Sequence, residues 1–293
     1  MQLLIYLLFY PLLILISILP FRLFYFFSDV VYVVVYHIIG YRKKTVTENL
    51  KLVFPNKSSK EIIYIRKKFY KHMCDMFLEM IKTITVSKKE LNKRFVIINP
   101  EELIRLEKLH KSVIVMYGHY ASYEWSIISQ NYTKLQCYGI YKKIKNKYFD
   151  ALVHRIRSRY NTILFNTKEA IPAMARLKAK GEKYLIAFLS DQSPKIHRTN
   201  EWLDFMGINV PCSVGAEMLA KKLDYSVAYL KINKVKRGHY EGEFVSLADD
   251  AQEFENYKIT EKFNNILASQ IKAAPEYYLW THKRWKHRDE TPM

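Results

Sequence analysis

The chain has 293 residues, of which 49% are hydrophobic, and its formal net charge is +19. This length suffices for one large domain with its own core and one membrane anchor. The charge predicts a surface that attracts anionic partners, and nucleic acid, anionic lipid and an acidic carrier protein all fit. Three widely spaced cysteines without a CxxC pair argue against a disulfide framework or a zinc site and favour a reducing, cytoplasm-facing domain.

The N-terminus is predicted to be a retained membrane anchor. Leu3 to Pro20 contains no charged residue, and a helix of that length reaches about 27 Å, close to the thickness of a hydrocarbon core. No basic residues precede this stretch and no small-x-small site follows it, so a cleaved signal peptide is the weaker interpretation.

A second apolar stretch, residues 23–40, contains Asp29 and His37 and follows Arg22. It therefore predicts an interfacial or domain-packing helix rather than a second membrane span. The basic cluster Arg42 to Lys44 comes next, and by the positive-inside rule it holds the rest of the chain in the cytoplasm. We divide the chain at this point into residues 1–40, the anchor and interfacial helix, and residues 41–293, a single further domain.

After residue 41 the pattern predicts an α/β fold. The spacing of Ser58 and Glu61 is that of a capping box, and apolar residues recur at helical intervals from there to about Ile84. Short apolar runs then alternate with helical patterns, which predict helices near Glu101–Leu109, from around Ala121, and near Phe149–Tyr160, Ala170–Lys180 and Val214–Leu223. The predicted strands are Phe95–Ile98, Ser112–Tyr117, Cys137–Tyr141, Thr162–Phe165, Tyr184–Leu189 and Ser226–Ile232. This alternation indicates a sheet covered by helices, with ligand sites beyond the strand ends. Neither GxGxxG nor GxxxxGK occurs, which argues against a glycine-rich phosphate loop.

The most specific local signal is a histidine that follows a predicted buried strand and a glycine, with a glutamate five residues later. These residues are Gly118, His119 and Glu124. Transfer of an acyl group to a hydroxyl needs a base near the working pH, which imidazole supplies, and a carboxylate that accepts its other N–H fixes the tautomer. About one such pair is expected by chance in this chain, so the alternative is a structural histidine bonded to a nearby acid. The position at a strand end favours the catalytic interpretation.

Several short blocks in fixed order carry a resemblance to a known family. They are Tyr41-Arg-Lys with Asn49-Leu50 and Phe54-Pro55; Gly118-His119 with Glu124; Tyr141, Asn146, Asp150 and Arg157; Asp191-Gln192 with Phe205, Gly207 and Pro211; and Pro275 to Lys286. In this order the blocks resemble the lipid A late acyltransferases, the lauroyl and myristoyl transferases of lipopolysaccharide assembly, whose HX4(D/E) box corresponds to His119 and Glu124. The chain departs from the family's usual Gly-Asn-Trp at Ala121-Ser122-Tyr123, and Ala268 stands where an acid often precedes the terminal block.

The resemblance implies a glycerolipid-acyltransferase-like mixed sheet in residues 41–293, an acyl-carrier protein as donor, a lipid A precursor as acceptor, and a location on the inner membrane with a single-pass anchor. No metal and no cofactor is implied. Arg157 is either a stabiliser of the oxyanion or part of a solvated or phosphate-binding helix face. Asp191 and Gln192 either order the loop at the site or take part directly. Asn146 and Arg284 complete the predicted substrate-binding set.

Three alternatives stay open at this stage. The first is a related HX4(D/E) enzyme that acylates another membrane lipid, such as an aminolipid or a mannosylated glycolipid. A membrane-tethered nucleic-acid-binding protein would also use the positive charge and the run Lys142 to Lys147, but that run lacks interleaved aromatics and no nucleic-acid module surrounds it. A non-catalytic membrane scaffold would use the basic and aromatic residues as interfacial anchors only.

Overall fold

The structure is a computed structural model that describes residues 1–195 and 201–290. The α-helices are α1 (Gln2–Ile18), α2 (Phe21–Tyr32), α3 (Lys43–Val53), α4 (Ser59–Lys82), α5 (Lys88–Arg94), α6 (Pro100–Glu107), α7 (Lys147–Arg157), α8 (Ala170–Ala179), α9 (Gly215–Leu223) and α10 (Lys258–Ala273). The strands are β1 (Phe95–Ile97), β2 (Val113–Tyr117), β3 (Gln136–Tyr141), β4 (Ile163–Asn166), β5 (Tyr184–Leu189), β6 (Trp202–Asp204), β7 (Asn209–Pro211), β8 (Ser226–Lys236) and β9 (His239–Ala248). A π-helix (Val33–Ile39) extends α2, and 3₁₀-helices cover Tyr123–Tyr132, Ala251–Glu253 and Pro275–Tyr277.

Within the described residues, seven strands form one sheet in the order β1-β9-β8-β2-β5-β3-β4. All neighbouring strands are parallel except β8 and β9, which form an antiparallel hairpin. The central strand β2 is almost fully buried and consists of Val, Ile, Val, Met and Tyr, as expected for a parallel strand covered on both faces. The predicted α/β sheet flanked by helices is therefore confirmed.

Two parts of the pattern differ from the sequence prediction. The helix expected around Ala121 is a 3₁₀-helix that begins at Tyr123, after Ala121 has adopted a left-handed conformation with φ 52°. The sequence pattern predicts no helix or strand after Ile232, whereas the structure has the rest of β8, strand β9 and α10 there. A separate two-stranded hairpin, β6 with β7, lies outside the main sheet.

The N-terminal helices differ from the predicted anchor in their lengths. Helix α1 is apolar but has 17 residues, whereas Phe21–Ile39 is a continuous helix of 19 residues that is long and apolar enough to cross a membrane. By length and composition the candidate span is thus the second apolar stretch rather than Leu3 to Pro20. The reason is the break at Leu19 and Pro20, where the backbone leaves the helical region and α1 ends.

The same second stretch also packs on the domain, as its polar residues predicted. The Ser28 hydroxyl donates to the Asp75 carboxylate at 2.7 Å. Arg237, at the turn between β8 and β9, contacts both Asp29 and Asp75 at 2.9 and 2.7 Å. Since Asp75 lies on α4, these bonds fix α2 against α4 and the sheet.

Candidate active site

The parallel register of β2 and β5 brings His119 and Asp191 together. Tyr117 and Leu189 are paired at the ends of these strands, and the next backbone bond runs from Ser190 N to Tyr117 O at 3.1 Å. Each of the two site residues lies two positions beyond its paired strand residue. They consequently meet at the carboxyl edge of the sheet, where α/β proteins place their ligand sites.

The His119 imidazole is bonded to Asp191 and not to Glu124. Nδ1 lies 2.7 Å from Asp191 Oδ1, and the backbone N–H of His119 donates to Oδ2 at 3.1 Å. The sequence prediction that Glu124 accepts the second N–H of His119 is corrected here, because register across two strands places Asp191 closer than a residue five positions along the chain.

The electrostatics of this pair follow from burial and charge. Burial alone would lower the pKa of His119, but the charge of Asp191 and its hydrogen bond outweigh burial and raise the pKa above its usual range. Burial alone would raise the pKa of Asp191, and here the His119 bonds outweigh it and lower that pKa. The Asp191 side chain is only 1% exposed, so the pair is held in a site with little water.

These bonds also define the tautomer of His119. An ionised carboxylate can only accept, so the Asp191 contact places the proton on Nδ1 and leaves Nε2 with a free lone pair. The Gln192 side-chain nitrogen lies 3.2 Å from Nε2 and is positioned to donate to it. The Gln192 amide is thus the hydrogen-bond partner of Nε2 in this structure.

Glu124 and Arg157 form a second pair beside His119. Arg157 Nη2 and Nε lie 2.5 and 3.0 Å from the two oxygens of Glu124, which is a bidentate bond. Burial alone would lower the pKa of Arg157, but the Glu124 charge outweighs it and raises that pKa, so the guanidinium stays charged. Glu124 therefore orients Arg157, and it influences His119 through its charge.

An apolar cavity extends from this second pair across the face of the sheet. It encloses about 740 Å³, including the part open to solvent. Glu124, Arg157 and Tyr123 line it at one side, and the Tyr123 ring contacts the His119 ring with centroids 5.0 Å apart. Its remaining wall includes Val115, Ile127, Ile140, Leu164, Leu185 and Ala187 from the sheet and the 3₁₀-helix. The lining is of the kind that an alkyl chain would contact.

Comparison with protein families gives a match to the sequence profile described as bacterial lipid A biosynthesis acyltransferase, over residues 2–287. The chain belongs to this family. Membership supports acyltransferase activity in lipid A biosynthesis and a lipid acceptor with an acyl donor. A comparison with curated individual proteins gives no significant match.

The terminal block of the chain, Pro275 to Lys286, packs against the loop that contains His119. Leu279 N donates to His119 O at 3.0 Å, and Ala121 N donates to Tyr277 O at 2.9 Å, so the two segments form an isolated antiparallel bridge between Tyr120 and Tyr278. The hydroxyl of the buried Tyr278 is hydrogen-bonded to Asp191. Sequence reasoning included Tyr278 in the block but gave it no role, because only the folded chain shows that it faces Asp191.

Two residues predicted to bind substrate, Arg284 and Asn146, form hydrogen bonds to protein atoms in this structure. Arg284 is 2% exposed and donates to Pro211 O and Cys212 Sγ, both at 3.0 Å. Its guanidinium is therefore enclosed by protein in this structure, and its role in substrate binding stays a prediction. Asn146 is the N-cap of α7: its side-chain oxygen accepts from Tyr148 N and Phe149 N.

Within the part of the chain that the structure describes, no group of three or more His, Cys, Asp or Glu side chains is arranged to hold a metal ion. The three cysteines are buried and are not joined by disulfide bonds. The site consists, in these residues, of an imidazole, two carboxylates, an amide and a guanidinium.

Proposed function

We propose that this acyltransferase moves a fatty acyl group from an acyl-carrier protein thioester to a hydroxyl of a lipid A precursor, with His119 as the general base. The observation that carries the proposal is the buried His119–Asp191 pair next to an apolar cavity. The Tyr123 ring contacts the His119 ring and also lines this cavity, and a base one side chain away from an alkyl-lined cavity suits the activation of a hydroxyl near a bound acyl chain.

In the proposed reaction the acceptor hydroxyl replaces Gln192 as the donor to Nε2. The hydroxyl oxygen attacks the thioester carbonyl carbon while its proton passes to Nε2, and the C–O bond of the new ester forms. The tetrahedral intermediate then collapses, the C–S bond breaks, and the imidazolium returns the proton to the departing thiolate. No protein nucleophile is needed, because the acceptor itself attacks.

Asp191 stabilises the imidazolium that forms during the attack. It accepts from Nδ1, from the His119 backbone and from Tyr278, so its position is fixed before substrate binds. A carboxylate in this position orients the base and favours its charged form, which is the function of the acid in hydrolase triads. This assigns to Asp191 the role that the sequence pattern suggested for Glu124.

Arg157 is proposed to stabilise the oxyanion of the tetrahedral intermediate. It lies at the cavity wall with Glu124, which holds its guanidinium in one orientation without removing its charge. One positioned donor of this kind contributes about 100-fold or more to such reactions. In this proposal Glu124 acts on the reaction through Arg157.

The catalytic domain is proposed to face the cytoplasm from the inner membrane. Exposed apolar side chains run along α1 and the helix Phe21–Ile39, including Leu8, Leu15, Phe26 and Ile38. Arg42, Lys43 and Lys44 follow directly, and such a basic cluster marks the cytoplasmic side of an anchor.

The proposal is tested by incubating the purified full-length protein in detergent with a panel of acyl-carrier proteins and a lipid A precursor. Mass spectrometry of the lipid product is expected to show the mass of one added acyl group in an ester. Acyl-CoA donors run in parallel identify the donor class, and an aminolipid and a glycolipid run as acceptors test the alternative. Acylation of one of those lipids and not of the precursor would contradict the proposed acceptor.

A further inference from the structure

A second cavity lies between α1, the end of α4 and the second half of α7. It encloses about 980 Å³, including the part open to solvent. Its apolar side is formed by Ile14, Ile84 and Ile156. It shares no lining residue with the cavity beside His119.

The polar side of this cavity is cationic. Arg155 and Arg159 line it together with the hydroxyl-bearing residues Ser158 and Thr85. Arg155 lies in the last turn of α7 and Arg159 in the turn just after the helix, and both are exposed side chains that line this cavity. Within the described residues the cavity wall contains no carboxylate. A negatively charged group that enters it therefore meets only attractive side-chain charge.

The three closely spaced arginines at the end of α7 and just beyond it thus divide between two sites. Arg157 bonds to Glu124 at the catalytic cavity. Arg155 donates to the Tyr10 hydroxyl of α1 at 3.0 Å, and Arg159 donates to the backbone oxygen of Thr83. Neither of these two bonds neutralises a guanidinium charge, so both charges remain available to a ligand.

The carbonyl end of α1, which would repel an anion, is neutralised by the domain. Lys82 Nζ donates to Ser17 O at 2.7 Å, and the Thr85 hydroxyl donates to the same oxygen at 2.5 Å. Partial negative charge at a helix C-terminus is compensated by such cations. This compensation leaves the region between α1 and α7 positive overall.

The apolar side of the cavity continues into the exposed surface of α1. Ile14 lies in the wall, and its neighbours Leu15 and Ile18 are 59% and 57% exposed. An apolar surface of this kind on an N-terminal helix is typical of contact with lipid chains. The cavity therefore joins a lipid-compatible surface to a pair of guanidinium groups.

We propose that this cavity binds the phosphate head group of an anionic membrane lipid, with the phosphate at Arg155 and Arg159 and the acyl chains along α1. Arginine presents its N–H groups in a fork that matches phosphate oxygens. An acidic protein would use the charge but not the concave apolar wall, so a lipid fits the site better. The bound lipid would hold α1 against α7 and so fix the domain at the membrane surface, which goes beyond the acyl-transfer reaction.

The test is a lipid titration of the full-length protein, followed by native mass spectrometry from detergent. Dihexanoylphosphatidylglycerol and dihexanoylphosphatidylcholine have the same chains but differ in net charge. The first molecule of phosphatidylglycerol is expected to bind the wild type roughly tenfold more tightly than the first molecule of phosphatidylcholine. The Arg155→Gln/Arg159→Gln variant is expected to lose this preference. The matched control is Arg176→Gln/Lys180→Gln, which removes two exposed cations at the same spacing from the α8 region and should retain the preference.

Three results would overturn the proposal. In the first, the Arg155→Gln/Arg159→Gln variant binds phosphatidylglycerol as tightly as the wild type. In the second, the α8 control loses the preference equally, which indicates unspecific charge attraction. In the third, inorganic phosphate displaces phosphatidylglycerol at equal concentration, which indicates a free-anion site without a lipid component. If the double variant does not fold, Arg155→Gln alone keeps the test decisive, because this exposed side chain bonds only to the Tyr10 hydroxyl among the hydrogen bonds of the described residues.

Discussion

At the scale of single residues, two carboxylates compete for the role of partner to His119. Asp191 contacts Nδ1 directly, whereas Glu124 is bonded to Arg157. Burial lowers the pKa of His119, and the charges of both acids raise it. Asp191 makes the larger contribution, so the pKa is raised overall. The two acids should consequently have different effects when they are replaced.

Replacing the carboxylate of Asp191 is expected to remove the orientation of the base. In Asp191→Asn the neutral amide no longer favours the correct tautomer or the imidazolium, so kcat should fall by about 100-fold or more. Glu124→Gln serves as the matched change, since it leaves the Nδ1 bond intact and loosens Arg157. Steady-state kinetics of both variants compare the two roles; a full loss in Glu124→Gln with Asp191→Asn unaffected would return the role of partner to Glu124.

The pH dependence of the reaction reports the same pair. A general base works in its neutral form, so kcat/KM should rise with pH and level off above the pKa of His119, which Asp191 holds above the usual range for histidine. In Asp191→Asn the loss of the negative charge lowers that pKa, so the acidic limb should move to lower pH. The measurement is a pH–rate profile of residual activity. An unmoved limb would show that Asp191 does not set this pKa.

The sequence identified His119 as the candidate base and placed Asp191 and Gln192 in a block that resembles the family. It did not show that His119 and Asp191 are bonded to each other. The sequence favoured Glu124 as the partner of His119, because a spacing of five residues can be read from a sequence whereas the register of two strands cannot. The same limit applies to Arg284, which appears as a free cation in a basic segment but is buried against Pro211 and Cys212. Burial of a charged side chain is decided by contacts with distant parts of the chain.

At the scale of secondary-structure elements, the cavity wall depends on two small residues. Gly139 on β3 and Ala187 on β5 are paired in register and both line the cavity. A Cβ at Gly139 would lie 3.0 Å from Leu164 Cδ2, so the wall has little spare room there. A larger side chain at Gly139 would consequently press on Leu164, which also lines the cavity, and a larger one at Ala187 would take space from the cavity itself.

Filling this space is expected to shorten the acyl chain that the protein accepts. In Ala187→Leu the added carbons occupy volume in the cavity, and activity with the longest accepted donor should fall roughly tenfold or more while shorter donors are less affected. The exposed Ala175→Leu on α8 is the control. A chain-length series of donors provides the measurement, and an unchanged preference in Ala187→Leu would show that the acyl chain lies elsewhere.

A buried carboxylate joins four elements behind the site. Glu79 on α4 accepts from Tyr25 of α2 at 2.9 Å, from Ser122 after β2 at 3.0 Å, and from Tyr240 of β9 at 3.0 Å. Ser122 belongs to the segment between His119 and Glu124 that departs from the family pattern. Glu79 thus connects the candidate membrane helix to the catalytic loop.

Removing this carboxylate should be costly for stability. Glu79→Ala leaves three buried hydroxyl groups without their acceptor, and the free energy of unfolding should fall by about 3 kcal/mol or more. Glu61→Ala on the same helix removes an exposed capping-box residue and should have a clearly smaller effect. Urea unfolding in detergent measures both; equal losses in the two variants would contradict the proposed importance of the buried network.

The element pattern was largely predictable because it is local. Apolar runs and helical periods identified α6 to α9 and strands β1 to β5, whose bounds differ from the predictions by a few residues. Strand β9 and the long extension of β8 were missed, since their mixed composition reflects a hairpin near the edge of the sheet, where only β1 follows. Their pairing depends on contacts that the periodicity does not contain.

At the scale of the whole molecule, the N-terminal helices lie along the domain rather than apart from it. Tyr6 of α1 packs on Tyr148 and Phe149 of α7, and Arg237 bridges α2 and α4. The sequence predicted one anchor and one packing helix, but the contacts that fix them join distant residues, from Ser28 and Asp75, 47 positions apart, to Asp29 and Arg237, 208 positions apart. A membrane surface in contact with the exposed sides of these helices would lie close to α7, and with it to the catalytic site.

The net charge of +19 is consistent with this arrangement. The cationic residues beside α1 and after the helix Phe21–Ile39 would face anionic head groups, and other basic surfaces remain for an acidic carrier protein. One positive potential thus serves the lipid and the donor in the proposed reaction.

The most direct test of this account is the transfer of an acyl group from acyl-carrier protein to a lipid A precursor by wild type and His119→Ala. The exposed His154→Ala on α7 is the matched control. If His119 is the general base, the wild type and His154→Ala form product, and the rate of acyl transfer falls by about 100-fold or more in a folded His119→Ala protein. Equal rates in wild type and His119→Ala would contradict the assignment of His119 as the general base.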